Sequence, residues 1–445
     1  MHIVTVNDFV LDKNEIKWTL NGIKFNVKYM FDIDKRFIDT FKLIPLIQTC
    51  CIAASYKKKV KIVSNIPIRK ETLDFINEYM NLQHQNNMYR MTKYPIDYPL
   101  KLELEFPINN GIEPQKHIAN NKCVMAAWSG GKDSYLTIKL LEECGYKVVT
   151  GTTAWNNLMF NTGQNVFLNK HPEIKKNIVA KISLGSKMRI IISNVLQEQK
   201  INIRKELFST QMNNDPFMLY HAWYMLLQNI NNVIYAQHYN IRHVFSGDEA
   251  DINHSTKELD INYIMYSNLG QCYDVKKIIN KYFRSIYGKS TTQTHSILYP
   301  IYGPLEIKIL IERYNTNMFS SCYTMTGKTG VCSKCAKCFM SLITLKSLGY
   351  DPSIVGIDIK KMIKNYKSQP EKIMDSIMSI SDEYKYWFIK RCINDPDIGV
   401  TLKHLLKETP DDISFNPLVP LKEKYKTIPK FIRSKVTKIY DEFIR

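Results

Sequence analysis

The chain has 445 residues, too many for one ordinary compact core and enough for two or three, so a multi-domain protein is expected. Hydrophobic content of 44% with 23% charged residues excludes a disordered, collagen-like or mini-protein reading. Lys+Arg 61 against Asp+Glu 42 gives a net charge of +19, which admits nucleic acid or another polyanion as a partner. It does not require one, because the chain is crowded with Lys, Asn, Ile and Tyr, a compositional bias that places many lysines on a solvated surface.

Met1-His2-Ile3-Val4 soon meets Asp8, Asp12 and Lys13, unlike the charged start and apolar core of a signal peptide. The most apolar stretch, Leu43 to Ala54, is far shorter than the roughly 20 residues a membrane span needs. A cytoplasmic protein without a membrane partner is therefore expected.

Alternating apolar residues mark strands at Ile3–Val6, Ile16–Leu20 and Ile23–Val27, the last two joined by an Asn21-Gly22 hairpin signal. A helix is expected from Lys35 to Ser55, a strand at Val60–Val63, a helix from about Lys70, and a half-buried strand at Lys101–Phe106. The turn-rich segment Pro107–Pro114 then marks a boundary. Three parts follow: a small N-terminal α/β domain (1–115), a central nucleotide-binding domain (116–350) and a helical C-terminal extension (351–445).

From Cys123 onward strands and helices alternate. Strands are expected at Val124–Trp128, Lys147–Thr150, Arg189–Ile192 and His243–Ser246, with helices reaching Cys144, at Pro172–Ser183 and around Met218–Leu227. Such alternation predicts an α/β fold with a doubly wound parallel sheet covered on both faces.

Ser129-Gly130-Gly131-Lys132-Asp133-Ser134 lies between the first of these strands and its helix. Phosphate is expected there, because glycine amides and a helix N-terminus point at the anion. It is not a Walker A loop: Ala126 stands where that motif needs its first glycine, and Asp133 where it needs Ser or Thr. Ser129, Gly130, Gly131 and Ser134 would cradle phosphate, Lys132 would neutralise charge, and Asp133 would hold Mg²⁺ or fix the loop. The acidic loop Gly247, Asp248, Glu249, Asp251 after a later strand is the candidate substrate side. His238, His243 and His254 are weaker candidates for proton transfer.

Cys322, Cys332, Cys335 and Cys338 form C-x9-C-x2-C-x2-C, enough thiolates to close around one ion. Zinc is preferred over an iron–sulfur cluster, and a closed four-Cys site would be structural. The other six cysteines, Cys50-Cys51 among them, read as small buried apolar residues.

The run Ser129–Ser134 resembles the Ser-Gly-Gly-x-Asp-Ser signature of PP-loop ATP pyrophosphatases. With Ser321-Cys322-Tyr323 and Cys332-Ser333-Lys334-Cys335-Ala336-Lys337-Cys338 downstream, and Leu298–Glu306 leading into a helix before them, residues 123 to 350 resemble the 7-cyano-7-deazaguanine synthase (QueC) family. The resemblance implies a PP-loop domain with a zinc knuckle at 321–339, ATP cleaved to AMP and pyrophosphate, and Lys132, Asp133 and Ser134 in catalysis. It also implies Mg²⁺ and Zn²⁺ as cofactors and adenylation of a 7-carboxy-7-deazaguanine-type carboxylate for attack by an amine.

Departures fall on the acceptor side. Gly247-Asp248-Glu249-Ala250-Asp251 stands where the family has a longer loop ending in Tyr-Pro-Asp-Cys-Arg, and Asn213-Asn214-Asp215-Pro216 replaces Pro-Gly-Arg-Asn. The extra terminal segments resemble enlarged QueC-like proteins of bacterial antiphage defence, which implies a protein as amine acceptor. Ammonia as acceptor, a PP-loop tRNA-modifying enzyme and an inert PP-loop scaffold are the competing expectations.

Overall fold

The computed structural model describes residues 1–56, 59–91, 101–109, 116–120, 123–155, 178–182, 185–199, 217–252, 255–257, 264–266, 269–316, 331–368, 382–402 and 415–444. The first part of the helix expected from Pro172, residues 172–177, lies outside them, as do the segments Asn213–Pro216 and Ser321–Tyr323.

Apolar alternation builds the N-terminal strands β1 (His2–Leu11), β2 (Glu15–Leu20) and β3 (Ile23–Tyr29), which form an antiparallel meander. Asn21 and Gly22 both take positive φ, 46° and 77°, as the tight turn between Leu20 and Ile23 demands. Helices α1 (Ile38–Ala53) and α2 (Lys70–Met91) accompany β4 (Val60–Ser64) and β5 (Leu102–Glu105), which run parallel to β1. Ile16, Trp18, Leu20, Phe25, Val27 and Tyr29 alternate inward and pack with α1 in one apolar cluster.

The second half of the sheet is parallel: β6 (Cys123–Ala127), β7 (Lys147–Trp155), β8 (Ile178–Ile182), β9 (His243–Phe245) and β12 (Gln293–His295). A separate two-stranded ribbon pairs β10 (Ser255–Lys257) with β11 (Ile264–Tyr266). The whole order is β12-β9-β6-β7-β8-β3-β2-β1-β4-β5. The N-terminal strands therefore continue the central sheet, through antiparallel pairing of β3 with β8.

Helices cover both faces of the parallel half. Met125 and Val244 point into the cluster that includes α4 (Gly185–Glu198), α5 (Phe217–His238) and α6 (Tyr273–Tyr287). Val124, Ala126 and Phe245 point into the opposite cluster, with α3 (Lys132–Glu143), α7 (Gly303–Glu312), α8 (Ala336–Ser347) and α9 (Ile359–Ser368). The same cluster takes in α10 (Asp382–Cys392), α11 (Gly399–Leu402) and α12 (Lys430–Glu442), so the described residues of the C-terminal extension are mostly helical and pack on the sheet.

Two expected elements are corrected. Arg189–Ile192 belongs to helix α4, and the strand next to β7 is Ile178–Ile182, inside the expected helix. Met188, Ile191, Ile192, Val195 and Leu196 are buried while Ile190 is 55% exposed, a helical stripe that a short isoleucine run conceals. Among the described residues, no helix is long and apolar enough to cross a membrane.

The β3–β8 seam is reinforced by Tyr29, whose hydroxyl donates to Asn231 Oδ1 on α5 at 2.9 Å in a buried setting. Tyr29→Phe leaves that carbonyl oxygen without its donor, so urea unfolding should show a loss of about 1–3 kcal/mol. An unchanged midpoint would mean that apolar packing alone carries the seam.

Candidate functional site

Counting the parallel strands in chain order, β6, β7 and β8 step one way from the centre and β9 and β12 step the other. The topological switch point thus lies between β6 and β9, where connections leave in opposite directions and open a crevice at the strands' carboxyl ends. Two candidate segments flank it: Ser129–Ser134 after β6, and Gly247–Asp251 after β9.

Gly130 takes φ +82° in the first turn, and Gly131 is the N-cap of α3. Ser129 Oγ accepts from the Gly131 amide at 3.4 Å and donates to Ser134 Oγ at 3.2 Å, while Ser134 Oγ donates to Gly131 O at 3.0 Å. Both hydroxyls therefore line the inside of a turn at the positive end of α3. Gly247 presses against it: a Cβ there would come within 2.7 Å of the Asp133 carbonyl carbon and Cβ.

Lys132 Nζ donates to Glu249 Oε2 at 2.6 Å, to Glu306 Oε2 at 2.8 Å, and to Asp133. The Asp133, Glu249 and Glu306 carboxylates come from α3, the β9 loop and the first turn of α7, and their ligand atoms lie within 4.8 Å of one another. Asp251 joins them from below, with Oδ2 accepting from the Gly303 amide at 3.4 Å. Burial alone would lower the Lys132 pKa, but the three carboxylates outweigh it and hold the ammonium charged. Burial pushes Glu306 and Asp251 well above the usual carboxylate range and Glu249 upward. Asp133 goes the other way: burial would raise it, but Lys132 and a hydrogen bond with Glu306 hold it down. A single ammonium does not neutralise this many carboxylates, so the cluster stores protons or takes a further cation.

Asp248 serves beneath the loop. Its carboxylate is wholly buried, pairs with Lys276 at 2.8 Å, and accepts from Gln271 at 2.8 Å and Ser246 at 2.6 Å. That network, with Ser296 bonded to the Asp248 backbone, fixes Glu249 and Asp251 at the crevice. His238 lies against Phe31 at a tilt, and His243 stands at the start of β9 against Phe431 and His295; burial pushes His243 down to about 4, leaving it neutral near pH 7. His254 lies outside the described residues.

Cys332, Cys335 and Cys338 are buried and gathered at the start of α8, with Cys335 as its N-cap. Their sulfurs are 3.7 Å (332–338) and 3.5 Å (335–338) apart, close to the roughly 3.8 Å edge of a tetrahedron with 2.3 Å metal–sulfur bonds. The Cys335 amide donates to Cys332 Sγ at 3.3 Å, which favours a thiolate, and Ser333 at φ +50° makes the turn that brings the sulfurs together. The cluster can hold a metal ion. Cys322, the expected fourth ligand, lies outside the described residues.

In the sequence Glu306 is only the last residue of the stretch Leu298–Glu306 before a helix; an acid in a first turn is ordinary dipole chemistry, and nothing in the linear pattern says that it meets Lys132. The positive charge of Lys337, between two of the cysteines, opposes the effect of burial on both Asp133 and Glu249. No protein-family model, no curated protein and no solved structure matches the chain.

Proposed function

We propose that the chain is a QueC-like PP-loop ATP pyrophosphatase that adenylates a 7-carboxy-7-deazaguanine-type carboxylate and passes it to an amine. The observation that carries the reading is the meeting of the Ser129–Ser134 glycine turn with the acidic loop at the β6/β9 switch point. In this reading Ser129, Ser134 and the amides of Gly130 and Gly131 hold phosphate oxygens at the N-terminus of α3. Lys132 balances their charge. The orphaned, wholly buried Glu306 Oε1 beside Asp133 and Glu249 fits a Mg²⁺ ion, which when bound neutralises the departing pyrophosphate.

The chemistry has two displacements. A carboxylate oxygen of the deazaguanine attacks the α-phosphorus of ATP as the bond to pyrophosphate breaks; the amine then attacks the acyl carbon, AMP leaves, and the amine gives up its proton to solvent. In this reading Glu249 and Asp251 would accept from the N–H edge and exocyclic amine of the heterocycle. Zn²⁺ on Cys322, Cys332, Cys335 and Cys338 would be structural, since four thiolates leave no open position. The acceptor is an amine of a partner protein, chosen through residues 1–115 and 351–445; the resemblance to enlarged defence-associated members supports this over ammonia.

Mass spectrometry after incubation with ATP, 7-carboxy-7-deazaguanine and either ammonia or the genomic-neighbour protein tests this. AMP, pyrophosphate and a mass increase on the neighbour are expected; a nitrile product would point to the housekeeping synthase. Full turnover by Ser129→Ala or Asp133→Ala would sink the proposed ATP site. Absence of AMP under every acceptor condition would favour a scaffold, and steeply salt-sensitive tRNA binding would favour a tRNA-modifying enzyme.

A further inference from the structure

Lys132 is held by more negative charge than it can balance, and the arrangement of that charge has a coordination logic. Asp133, Glu249 and Glu306 offer carboxylate oxygens from three separate elements, all within 4.8 Å of one another. That span fits oxygens around one hard cation, whose cis and trans ligand separations are about 3–4.2 Å for Mg²⁺ and up to about 5 Å for Ca²⁺. The donor set contains no nitrogen or sulfur, which selects Mg²⁺, Mn²⁺ or Ca²⁺ over zinc or copper.

A second observation comes from Glu306 itself. Its side chain is 0% exposed, Oε2 contacts Lys132, and Oε1 has no hydrogen-bond partner among the described residues. A buried carboxylate oxygen left without a partner beside two further carboxylates is a costly arrangement for an ion pair and an ordinary one for a bidentate or bridging metal ligand.

We propose that Glu306 is the third protein ligand of a divalent-cation site built with Asp133 and Glu249, and that the Lys132 ammonium occupies the place of that cation when it is absent. The inference rests on the phosphate-handling reading for its purpose, and deepens it by adding a residue and an order of events. Cation binding turns Lys132 out of the carboxylate cage and frees its ammonium for phosphate at the neighbouring glycine turn. Where each carboxylate gives one oxygen, positions would remain for water or phosphate oxygens. Nucleotide and cation should then bind with positive coupling, because each removes the competitor of the other.

Mn²⁺ alone, without nucleotide, is the probe, followed by electron paramagnetic resonance on the full chain. One bound Mn²⁺ per chain is expected for the wild type at this site, weakened about 100-fold in Glu306→Gln and in Glu249→Gln. Lys132→Met is the third variant, which guards against loss of folding in the first two. It removes the occupant while keeping the three carboxylates, so it should bind Mn²⁺ more tightly than the wild type, and Mn²⁺ should raise its melting temperature by more than it raises that of the wild type. Wild-type Mn²⁺ affinity in Glu306→Gln, or no melting shift of Lys132→Met with Mn²⁺, would overturn the proposal. Because neither readout uses ATP, a protein that binds Mn²⁺ here but releases no AMP keeps this site and loses the proposed function. One that releases AMP with Mn²⁺ binding indifferent to Glu306 does the reverse.

Discussion

Replacing Gly247 with alanine is expected to cut the proposed ATP-to-AMP turnover by about 100-fold while costing only about 1–3 kcal/mol of stability. The added Cβ would lie 2.7 Å from the Asp133 carbonyl carbon and Cβ and 2.9 Å from its carbonyl oxygen. Two of these three atoms are backbone at the first turn of α3, so no rotamer change relieves the clash. Either the glycine turn or the acidic loop must move, and each holds part of one charge cluster through the Lys132–Glu249 contact. Global stability suffers less, because the Asp248–Lys276 network still anchors the loop from below. Gly22→Ala is the control: nothing lies within 4 Å of a Cβ there, and its φ of +77° costs about 1–2 kcal/mol with no effect on turnover. Steady-state AMP release and urea unfolding of both variants separate the two effects. Wild-type turnover by Gly247→Ala would mean that the two loops do not form one site.

Much of the frame was legible in the sequence because it depends on local rules. Asn21-Gly22 between two alternating runs can hardly be anything but a hairpin, and a five-residue apolar strand before Ser129-Gly130-Gly131 leads into an amphipathic helix as expected. The isoleucine run at Arg189–Ile192 failed for the opposite reason: a short apolar run fits either period, and only its packing partners decide. The continuity of the sheet was invisible too. Nothing in Lys24–Tyr29 announces that β3 will pair with Ala180–Ile182, more than 150 residues later, since edge pairing is chosen by tertiary packing. The site divides in the same way. The glycine turn and the cysteine spacing are contiguous and could be read directly. Glu306 enters only by folding, and Asp248, which reads like its acidic neighbours, is withdrawn into a buried pair with Lys276 that sits 28 positions away.

Cys335→Ser is expected to release the metal of the cysteine cluster and to lower stability by about 3 kcal/mol, seen as a lower melting temperature and as lost zinc by elemental mass spectrometry. Removing one thiolate leaves two buried sulfurs of the described three, and takes away the partner that Cys338 Sγ meets at 3.5 Å. The turn at 331–335 has little regular structure to fall back on, although Ser333 Oγ accepts from the Asp358 amide at 2.9 Å and Asn365 donates to Lys334 O at 2.8 Å. The loss stays well below the roughly 10–16 kcal/mol that an isolated zinc-finger peptide draws from its metal, because Phe339 stacked on Tyr366 still ties α8 to α9. Cys322→Ser should behave alike if it supplies the fourth thiolate. Acid should mimic both: thiolates must be deprotonated to bind, so metal affinity falls as pH falls, and the wild type should converge on Cys335→Ser in melting temperature at low pH. A colourless protein containing zinc confirms the preferred ion, whereas a visible absorption band would assign an iron–sulfur cluster. Equal metal content and melting temperature in wild type and Cys335→Ser would show that the three sulfurs gather without an ion.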